Sequence, residues 1–395
     1  MNILLLCDEY PPGLHGGIGS ATKLLAEHLV LLGHRVIVAG LYPAIRLKER
    51  QHYTANGVEV WKIPYSASLQ PLLQLLSKKY LNHLPAGYIA RQFKAYNQFL
   101  NQLIADHQID IVEIPDFQEV FFNTLSRSLA YQLSAPYVVK THGSYAYLAS
   151  LRQQRMPAAL LRKEQQLFNQ AKAIIAPSAF SKQQVLNLYA LPTDKVQVIY
   201  NGVAIDATLP ANGVSSKSVV FCGSLVEGKG IFDLIRAWNL VHAQAPSLVL
   251  DVFGKYQPAI YQQLQQELQS GARASVHFHG HVAKEVINQY YANAMVTVLP
   301  SYFETFGMTA AEAMSQGSPV IFTERATGPE LITDGVTGIL VNPQDHQQIA
   351  GQILKLSRNE QQRQALAQAG RASVAERFAI EKIAAAHVQF YSSIL

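Results

Sequence analysis

The sequence predicts an α/β protein made of two doubly wound domains, and two observations support this fold class. The order strand, glycine-rich loop, helix, strand opens the chain and begins again at residue 218. The length of 395 residues also exceeds what one ordinary core accommodates. Apolar residues make up 49% and charged residues 15%, a composition typical of a well-buried globular protein. We therefore predict one domain over 1–200 and a second over 201–379.

The first domain opens with a short apolar run, residues 2–7, which fits a strand buried on both faces. A loop rich in glycine and proline follows. Residues 20–32 then carry helical periodicity up to Gly33, which suits a helix C-cap. Residues 34–41 (HRVIVAGL) form the next predicted strand, and this order is the beginning of a parallel sheet.

The second domain repeats the order, with strand 218–225, a glycine-bearing loop, helix 231–243 and strand 247–254. The stretch 195–217 before it is rich in Gly, Asn, Ser and Pro, as expected of a linker. Ligands of such sheets bind beyond the carboxyl ends of the strands. We therefore expect the functional site in the cleft between the two domains.

Residues 61–99 interrupt the regular alternation, because aromatic residues there are interleaved with Lys and Arg. Two interpretations stay open. One is a helical insertion that packs on the first domain, and the other is a basic and aromatic face that lies on a membrane surface. The insertion is the simpler interpretation.

Charge and hydropathy narrow the class of protein further. The first 200 residues contain 19 Lys and Arg against 12 Asp and Glu, while the remainder contains 13 against 15. A basic first half favours an acidic partner, and anionic lipid or a phosphorylated acceptor fits better than nucleic acid, for which no motif is present. The start of the chain lacks a basic region before its short apolar run, and no segment is apolar enough to span a membrane. We expect a cytoplasmic protein, with peripheral contact to the inner membrane face as an open alternative.

Two glutamates eight residues apart, Glu304 and Glu312, are the strongest candidates for chemistry. The run 295–300 predicts a strand, SYFETFG a loop, and MTAAEAMSQ a helix that ends at Gly317. Free backbone N–H groups and the positive dipole end at that helix start suit a phosphate. Gly307 lets a ligand approach the backbone closely. The two carboxylates would then accept hydrogen bonds from sugar and ribose hydroxyls, although the spacing alone also fits two solvated glutamates.

The surrounding residues decide between these interpretations. The stretch PSYFETFGMTAAEAMSQGSPV resembles the donor-site signature of the retaining glycosyltransferases of family four, the group 1 glycosyltransferases, which have the GT-B fold of two Rossmann-like domains. GGIGSATKLLAEHL is similar to the opening loop and helix of that family, KTHG to its histidine strand end, and FCGSLVEGKG to its second phosphate loop. The order and spacing of these motifs cover the whole chain.

The resemblance implies a role for each matched residue. Glu304 would hold hydroxyls of the donor sugar, Lys229 would neutralise the diphosphate, and His142 would orient the reacting sugar. Glu312 would bind the ribose. The remaining donor-binding residues would contact phosphate, sugar or base mainly through backbone groups, and they are Gly16, Gly17, Gly223, Ser224, His281, Val282, Phe306, Gly307 and Met308.

One position departs from the family pattern. Ser224 stands where the family usually has an Arg that acts as a second cation on the diphosphate. A charge-assisted hydrogen bond contributes roughly 1.5–3 kcal/mol, so its loss would slow departure of the diphosphate without abolishing it. Lys255 and Arg325 are the candidate replacements.

A metal is not expected. His277, His279 and His281 lie on one face of a predicted strand, but a structural zinc site needs four ligands and the sequence shows no fourth nearby. A strand that enters the base-binding loop is the simpler explanation. The chain contains no D-x-D triplet. The resemblance therefore implies a donor site without metal or other cofactor.

The function that the resemblance implies is transfer of a hexose-type sugar, with retention, from a nucleotide-diphospho-sugar to a hydroxyl of a glycan or lipid-linked acceptor. Cell-surface polysaccharide or glycolipid synthesis would be the setting. Two alternatives stay open, a non-catalytic nucleotide-sugar-binding protein and a sugar-nucleotide epimerase. The resemblance also implies that the terminal helix, about 380–395, packs back on the first domain.

Overall fold

The computed structural model of the chain describes residues 1–13, 16–66, 84–118, 120, 129–151, 154–205 and 217–395. The chain divides into two compact units. The first contains Met1–Gly202 and Ile380–Leu395, and the second contains Val203–Ala379. The predicted class is confirmed, because each unit is an α/β structure built on a largely parallel sheet.

The sheet of the first unit has eight strands in the order β3-β4-β2-β1-β5-β6-β7-β8. Its pairs are parallel except for β3 with β4, an antiparallel hairpin whose turn holds Asn56 and Gly57 at positive φ. The strands are β1 (Asn2–Leu6), β2 (Arg35–Pro43), β3 (Gln51–Ala55), β4 (Val58–Tyr65), β5 (Ile111–Pro115), β6 (Tyr137–Lys140), β7 (Ala173–Ala176) and β8 (Val196–Val198).

Helices cover both faces of this sheet, and the described ones are α1 (Gly17–Leu31), α2 (Leu84–His107), α3 (Tyr145–Leu151), α4 (Ala158–Gln170) and α5 (Ala179–Tyr189), with the terminal helix α13 (Ile380–Ile394). Apolar side chains of β1 alternate between two clusters. Leu4 and Leu6 face the cluster that includes Phe93 of α2, while Ile3 and Leu5 face the cluster that includes Tyr391 of α13. The terminal helix thus completes one face of the sheet.

The second unit has six parallel strands in the order β11-β10-β9-β12-β13-β14. They are β9 (Ser218–Cys222), β10 (Val249–Phe253), β11 (Val276–Gly280), β12 (Val296–Leu299), β13 (Val320–Thr323) and β14 (Ile339–Val341). Its helices are α6 (Ile231–Gln244), α7 (Pro258–Glu267), α8 (Lys284–Asn293), α9 (Met308–Ser315), α10 (Gly328–Leu331), α11 (His346–Arg358) and α12 (Glu360–Phe378).

Two stretches singled out in the sequence fall partly outside the described residues. Within 61–99, residues 67–83 lie outside them, while β4 covers the beginning and α2 the end, where Phe93 and Tyr96 are buried. The helical interpretation therefore holds for the described end of this stretch. Residues 206–216 of the expected linker also lie outside. Among the described residues, no helix combines the length and the apolarity that crossing a membrane requires.

Candidate functional site

Three loops of the second unit meet because of the topology of its sheet. Strands β9, β11 and β12 are parallel, so their carboxyl ends lie at one edge. The loop after β9 contains Gly223 and Lys229, the loop after β12 contains Glu304 and Gly307, and the residues after β11 begin with His281. The edge of the sheet therefore gathers the candidate residues of this unit.

Lys229 and Glu304 form an ion pair, with Lys229 Nζ donating to Glu304 Oε1 at 2.8 Å. Lys229 ends a short 3-10 turn, and the next residue, Gly230, has φ +70°. A Cβ at Gly230 would stand 1.9 Å from the carbonyl oxygen of Pro300, so only glycine fits there. The glycine thus brings the lysine loop against the strand end that precedes Glu304.

A backbone hydrogen bond joins the same two loops. The N–H of Tyr302 donates to the carbonyl of Gly228 at 3.0 Å. The hydroxyl of Tyr302 also donates to Asp233 Oδ2 at 2.9 Å, on the first turn of α6. These bonds fix the position of Glu304 relative to Lys229 through the backbone as well as through the ion pair.

Gly307 is the N-cap of α9 and has φ +97°, a conformation that L-residues rarely adopt. Its ideal Cβ position lies 2.8 Å from Phe322 Cζ, inside the core. Core packing is one reason for a glycine at this position, since Phe322 fills the space that a side chain would need. Close approach of a ligand to the backbone at Gly307 stays a prediction.

The start of α9 remains suited to an anion. The regular hydrogen bonds of this helix, from each N–H to the carbonyl four residues earlier, begin with Ala311, whose N–H donates to the carbonyl of Gly307 at 3.1 Å. Among the described residues, no side chain caps the helix start. The N–H groups of Met308 and the two residues after it therefore precede the regular bonding pattern, as at any helix start. Phe306 is buried, and its carbonyl accepts from the hydroxyl of Thr327 at 3.0 Å.

Glu312 lies on the second turn of α9 and forms an ion pair with Lys284, with Nζ and Oε2 2.5 Å apart. The sequence analysis did not identify Lys284. It is the first residue of α8, where a cation opposes the helix dipole. A lysine at this unfavourable position, three residues after His281, was the sequence signal that could have identified Lys284 as a site residue. The residues His281 and Val282 are exposed and half-buried, respectively, just before α8.

Ser224 is exposed beside Gly223, whose N–H donates to the carbonyl of Phe253 at 3.0 Å. Arg325 is one of the two proposed replacements for the family arginine. Its Nη2 donates to Gln344 Oε1 at 2.6 Å, and its guanidinium lies 5.4 Å from the ring centroid of Tyr302.

In the first unit, Gly16 is the N-cap of α1 and Gly17 its first residue. The carboxylate of Glu9 accepts a hydrogen bond from the N–H of Gly19 at 2.9 Å. A Cβ at Gly16 would stand 3.2 Å from Glu9 Oε1, whereas the Cβ position of Gly17 is open. An acidic side chain that the sequence analysis passed over therefore lies at this helix start.

His142 follows β6 in the first unit, and its backbone N–H donates to Asp116 Oδ1 at 2.7 Å. Burial, with the charge of Lys140 as a second cause, lowers the pKa of His142 to about 3. Its imidazole is therefore neutral near pH 7. It can orient a hydroxyl by hydrogen bonding, but it holds no proton to give as an imidazolium.

Asp116 is a further residue that the sequence analysis missed. It follows β5 directly and is buried, with Oδ2 lacking a hydrogen-bond partner among the described residues. Burial raises its pKa to about 7, although the N–H groups of residues 142–144 partly offset this. An apolar strand followed at once by an aspartate was the available signal, but nothing nearby in the sequence shows what the carboxylate holds.

Comparison with known families gives two matches that together cover most of the chain. The model of the glycosyl transferases group 1 matches residues 211–373. The model of glycosyltransferase family 4 matches residues 15–207. The first match contains the two acid–lysine pairs, and the second contains Gly16, Gly17 and His142.

Individual proteins agree with these matches. An uncharacterised glycosyltransferase of Methanocaldococcus jannaschii is 27% identical and covers 99% of this chain and 98% of its own length. A D-inositol 3-phosphate glycosyltransferase of Streptomyces avermitilis is 25% identical over 76% of this chain and 71% of its own length.

Among solved structures, sucrose-phosphate synthase of Thermosynechococcus elongatus has a TM-score of 0.75 at 20% identity, covering 100% of this chain and 98% of that one. HepE of Anabaena, in complex with UDP-glucose, has a TM-score of 0.71 at 20% identity with full coverage of both chains. These two structures have the GT-B fold.

Proposed function

The chain belongs to the group 1 glycosyltransferases, and from this premise we propose that it moves a hexose-type sugar from a nucleotide-diphospho-sugar to a hydroxyl of a glycan or lipid-linked acceptor. The reaction would retain the anomeric configuration. Synthesis of cell-surface polysaccharide or glycolipid on the cytoplasmic side is the setting that we propose for it.

The observation that carries the proposal is the pair of acid–lysine contacts along the loop and helix 301–315. Glu304, before the helix start, pairs with Lys229, and Glu312, inside the helix, pairs with Lys284. A diphosphate needs cations and N–H donors, while a sugar and a ribose need hydrogen-bond acceptors. This edge of the sheet supplies both kinds of group. A bound donor would separate each glutamate from its lysine, and the two side chains of each pair would then contact different parts of the donor.

The difficult step is cleavage of the bond between the anomeric carbon and the diphosphate oxygen. Positive charge develops on the sugar ring and negative charge on the departing diphosphate. Lys229 and the start of α9 would stabilise the departing charge, since both are in place before the reaction. Glu304 would hold the sugar hydroxyls, and neutral His142 would orient the reacting sugar without placing another positive charge near it.

For retention, we propose that the acceptor hydroxyl attacks the face from which the diphosphate leaves. A diphosphate oxygen would take the hydroxyl proton, so the new glycosidic bond forms as the old bond breaks and no enzyme carboxylate is alkylated. The positive groups on the phosphate would make a metal unnecessary. Product analysis by NMR would show the anomeric configuration, and activity in excess EDTA would test the independence from metal.

The acceptor would bind the first unit, whose residues carry most of the basic charge. A lipid-phosphate carrier or a growing polysaccharide at the membrane suits this charge. The names D-inositol 3-phosphate glycosyltransferase and sucrose-phosphate synthase refer to different compounds, so they do not point to one acceptor for this chain. The base of the donor is equally open, and UDP is the first nucleotide to try because HepE was solved with it.

The test is thermal unfolding of the purified chain with UDP, GDP, ADP or dTDP. A ligand present at about 100 times its Kd stabilises the folded state by roughly 2.7 kcal/mol, which gives a clear rise in Tm. We expect one nucleotide to raise the Tm of the wild type, and Glu312→Ala to lose that rise. The matching nucleotide-sugar should raise the Tm further, and Glu304→Ala should lose only this additional rise.

Glu285→Ala is the matched control, because Glu285 is an exposed carboxylate next to Lys284. It should respond to the nucleotide as the wild type does. If no nucleotide stabilises the wild type, or if Glu312→Ala responds as strongly as the wild type, the donor-site assignment fails. The non-catalytic alternative would then account for the chain better.

A further inference from the structure

Three polar side chains meet near the outer edge of the sheet in the second unit. Asp251 lies on β10, and His277 and His279 lie on β11, the edge strand. One ligand atom from each of the three lies within 4.8 Å of the other two. His279 Nε2 is 2.7 Å from Asp251 Oδ1, and His277 Nδ1 is 3.5 Å from the same oxygen.

An irregularity in the strand pairing brings the second histidine into this group. Val252 pairs with Phe278, but Phe253 pairs with Gly280, so His279 is an extra residue in β11. Such bulges re-aim a side chain and are rare between parallel strands. The ring of His279 stacks on Phe253 with centroids 4.4 Å apart, which holds the plane of the imidazole.

The carboxylate is oriented from its other side. Asp251 is 6% exposed, and Ser218 Oγ donates to its Oδ2 at 2.6 Å. Oδ1 is therefore the oxygen that faces both imidazoles. A hydrogen bond from a neighbouring group to a ligating carboxylate is the usual outer-shell arrangement of metal sites. The side chain of His277 is 51% exposed, so water can reach the point where the three groups converge.

We propose that Asp251, His277 and His279 bind one divalent transition-metal ion, for which Zn²⁺ is the best match. Two imidazole nitrogens and one carboxylate oxygen are ligands that Zn²⁺ accepts, with water in a fourth position. Bonds of about 2.0–2.1 Å in tetrahedral geometry place ligand atoms roughly 3.3 Å apart. The contact of His277 already has nearly this separation, and that of His279 needs to lengthen by about 0.6 Å.

The ion would join the edge strand β11 to β10 just before the chain reaches His281. The site thus differs from the donor residues in its ligands, and it does not depend on the proposed transferase mechanism. The sequence analysis set a metal aside because it sought a fourth ligand near the three histidines. Asp251 is 26 positions from His277, and only the pairing of β10 with β11 brings it there.

The experiment is isothermal titration of the chelator-stripped full-length chain with zinc chloride, with thermal unfolding as a second readout. We expect one Zn²⁺ per chain and a rise in Tm on binding. His277→Ala and His279→Ala should each weaken binding at least about tenfold and remove the rise in Tm. His277→Ala is the main variant, since loss of a half-exposed imidazole at the edge of the sheet leaves the core intact.

His281→Ala is the matched control, because it removes an exposed imidazole from the same segment but outside the cluster. It should bind zinc as the wild type does. Either of two results would overturn the proposal. One is the lack of a one-to-one binding event in the wild type, and the other is unchanged zinc affinity in both His277→Ala and His279→Ala.

Discussion

The contact between Lys229 and Glu304 shows how single residues prepare this site for a ligand. Their side chains are 35% and 14% exposed. A pair that is reached by water contributes at most about 1 kcal/mol, because solvent screens the attraction. Under the proposed function, a diphosphate, which carries more charge than one carboxylate, would displace Glu304 from Lys229 at small cost. Glu304 would then be available to sugar hydroxyls.

Ser224 gives the most direct prediction at this scale. Ser224→Arg would restore a second cation beside the diphosphate, and the exposed position offers room for the longer side chain. A charge-assisted hydrogen bond of about 1.5–3 kcal/mol in the transition state would raise kcat roughly 10- to 150-fold. Ser224→Gln, of comparable length without the charge, should leave kcat near that of the wild type. An arginine variant no faster than the glutamine variant would contradict the idea that this position limits departure of the diphosphate.

Asp116 predicts a pH dependence of stability. Its pKa is raised to about 7 in the folded state from an ordinary value of 3.8, so the folded state holds an extra proton between about pH 4 and pH 7. The stabilisation linked to this proton is complete below pH 4 and is lost as the pH rises through 7. Asp116→Asn imitates the protonated form and keeps an oxygen that can accept from the N–H of His142.

The wild type should therefore lose stability relative to Asp116→Asn as the pH rises from 4 to 7. The difference between their free energies of unfolding should change by up to about 1.4 kcal/mol per pH unit and become constant above pH 7. Urea unfolding in a Trp238→Phe background would measure it, because Trp61, the other tryptophan of the chain, lies in the same unit as Asp116. Asp110→Asn, which removes an exposed carboxylate just before β5, is the control. Parallel pH profiles of Asp116→Asn and the wild type would contradict the buried, raised-pKa state of this carboxyl.

At the scale of helices and strands, local signals predicted the site-bearing elements closely. The helix predicted over 308–316 is Met308–Ser315, and the one predicted over 231–243 is Ile231–Gln244. Apolar periodicity and the flanking glycines fix such elements locally. The hairpin of β3 and β4 was also within reach, because Asn56-Gly57 is a strong turn signal that the sequence analysis did not use.

Contacts between elements were out of reach for a physical reason. Lys284 and Glu312 lie on different helices, and His142 and Asp116 lie in loops after different strands. Only the order of strands in each sheet brings these residues together, and that order leaves no periodic trace in a single sequence. The resemblance identified candidate donor-binding residues that lie in recognisable motifs. It did not identify Lys284 or Asp116, which contact two of them.

The start of α9 gives the prediction for an element. Gly307→Ala would force a Cβ against Phe322 and hold alanine at φ +97°, so we expect a loss of about 2–4 kcal/mol in the free energy of unfolding of the second unit. Gly317, at the other end of the same helix, has φ +81° but open space around its Cβ position. Gly317→Ala should therefore lose only about 1–2 kcal/mol.

Urea unfolding in a Trp61→Phe background would measure both variants, because Trp238, the other tryptophan of the chain, is buried in the second unit. Nucleotide binding should weaken in Gly307→Ala as the helix start shifts. Equal losses of stability in the two variants would show that packing against Phe322 contributes little.

At the scale of the whole molecule, the C-terminal helix α13 is part of the same compact unit as the N-terminal residues. The hydroxyl of Tyr391 donates to Glu113 Oε2 at 2.6 Å, and Lys140 Nζ lies 3.2 Å from His387 Nε2, so α13 is held to β5 and β6 by buried polar contacts. Buried polar groups stabilise a structure only when they are paired, and these pairs fix which helix covers this face of the sheet. The uneven charge along the chain therefore divides between two compact units, with the basic excess in the first.

That charge predicts salt-sensitive binding of the chain to anionic vesicles. After β2, Ile45 is 93% exposed, and the exposed residues Arg46 and Lys48 follow it. Cations beside an exposed apolar side chain suit the surface of an anionic bilayer. Sedimentation with vesicles that contain phosphatidylglycerol should show binding at 10 mM salt and little at 1 M, because the Debye length falls from about 30 Å to about 3 Å.

The double variant Arg46→Glu with Lys48→Glu should weaken binding to the vesicles. The control Lys355→Glu with Arg358→Glu, which reverses two exposed cations of the second unit, should not. Binding that ignores salt, or equal losses in the two double variants, would mean that the first unit does not direct the chain to a membrane and that its basic excess serves a soluble acceptor instead.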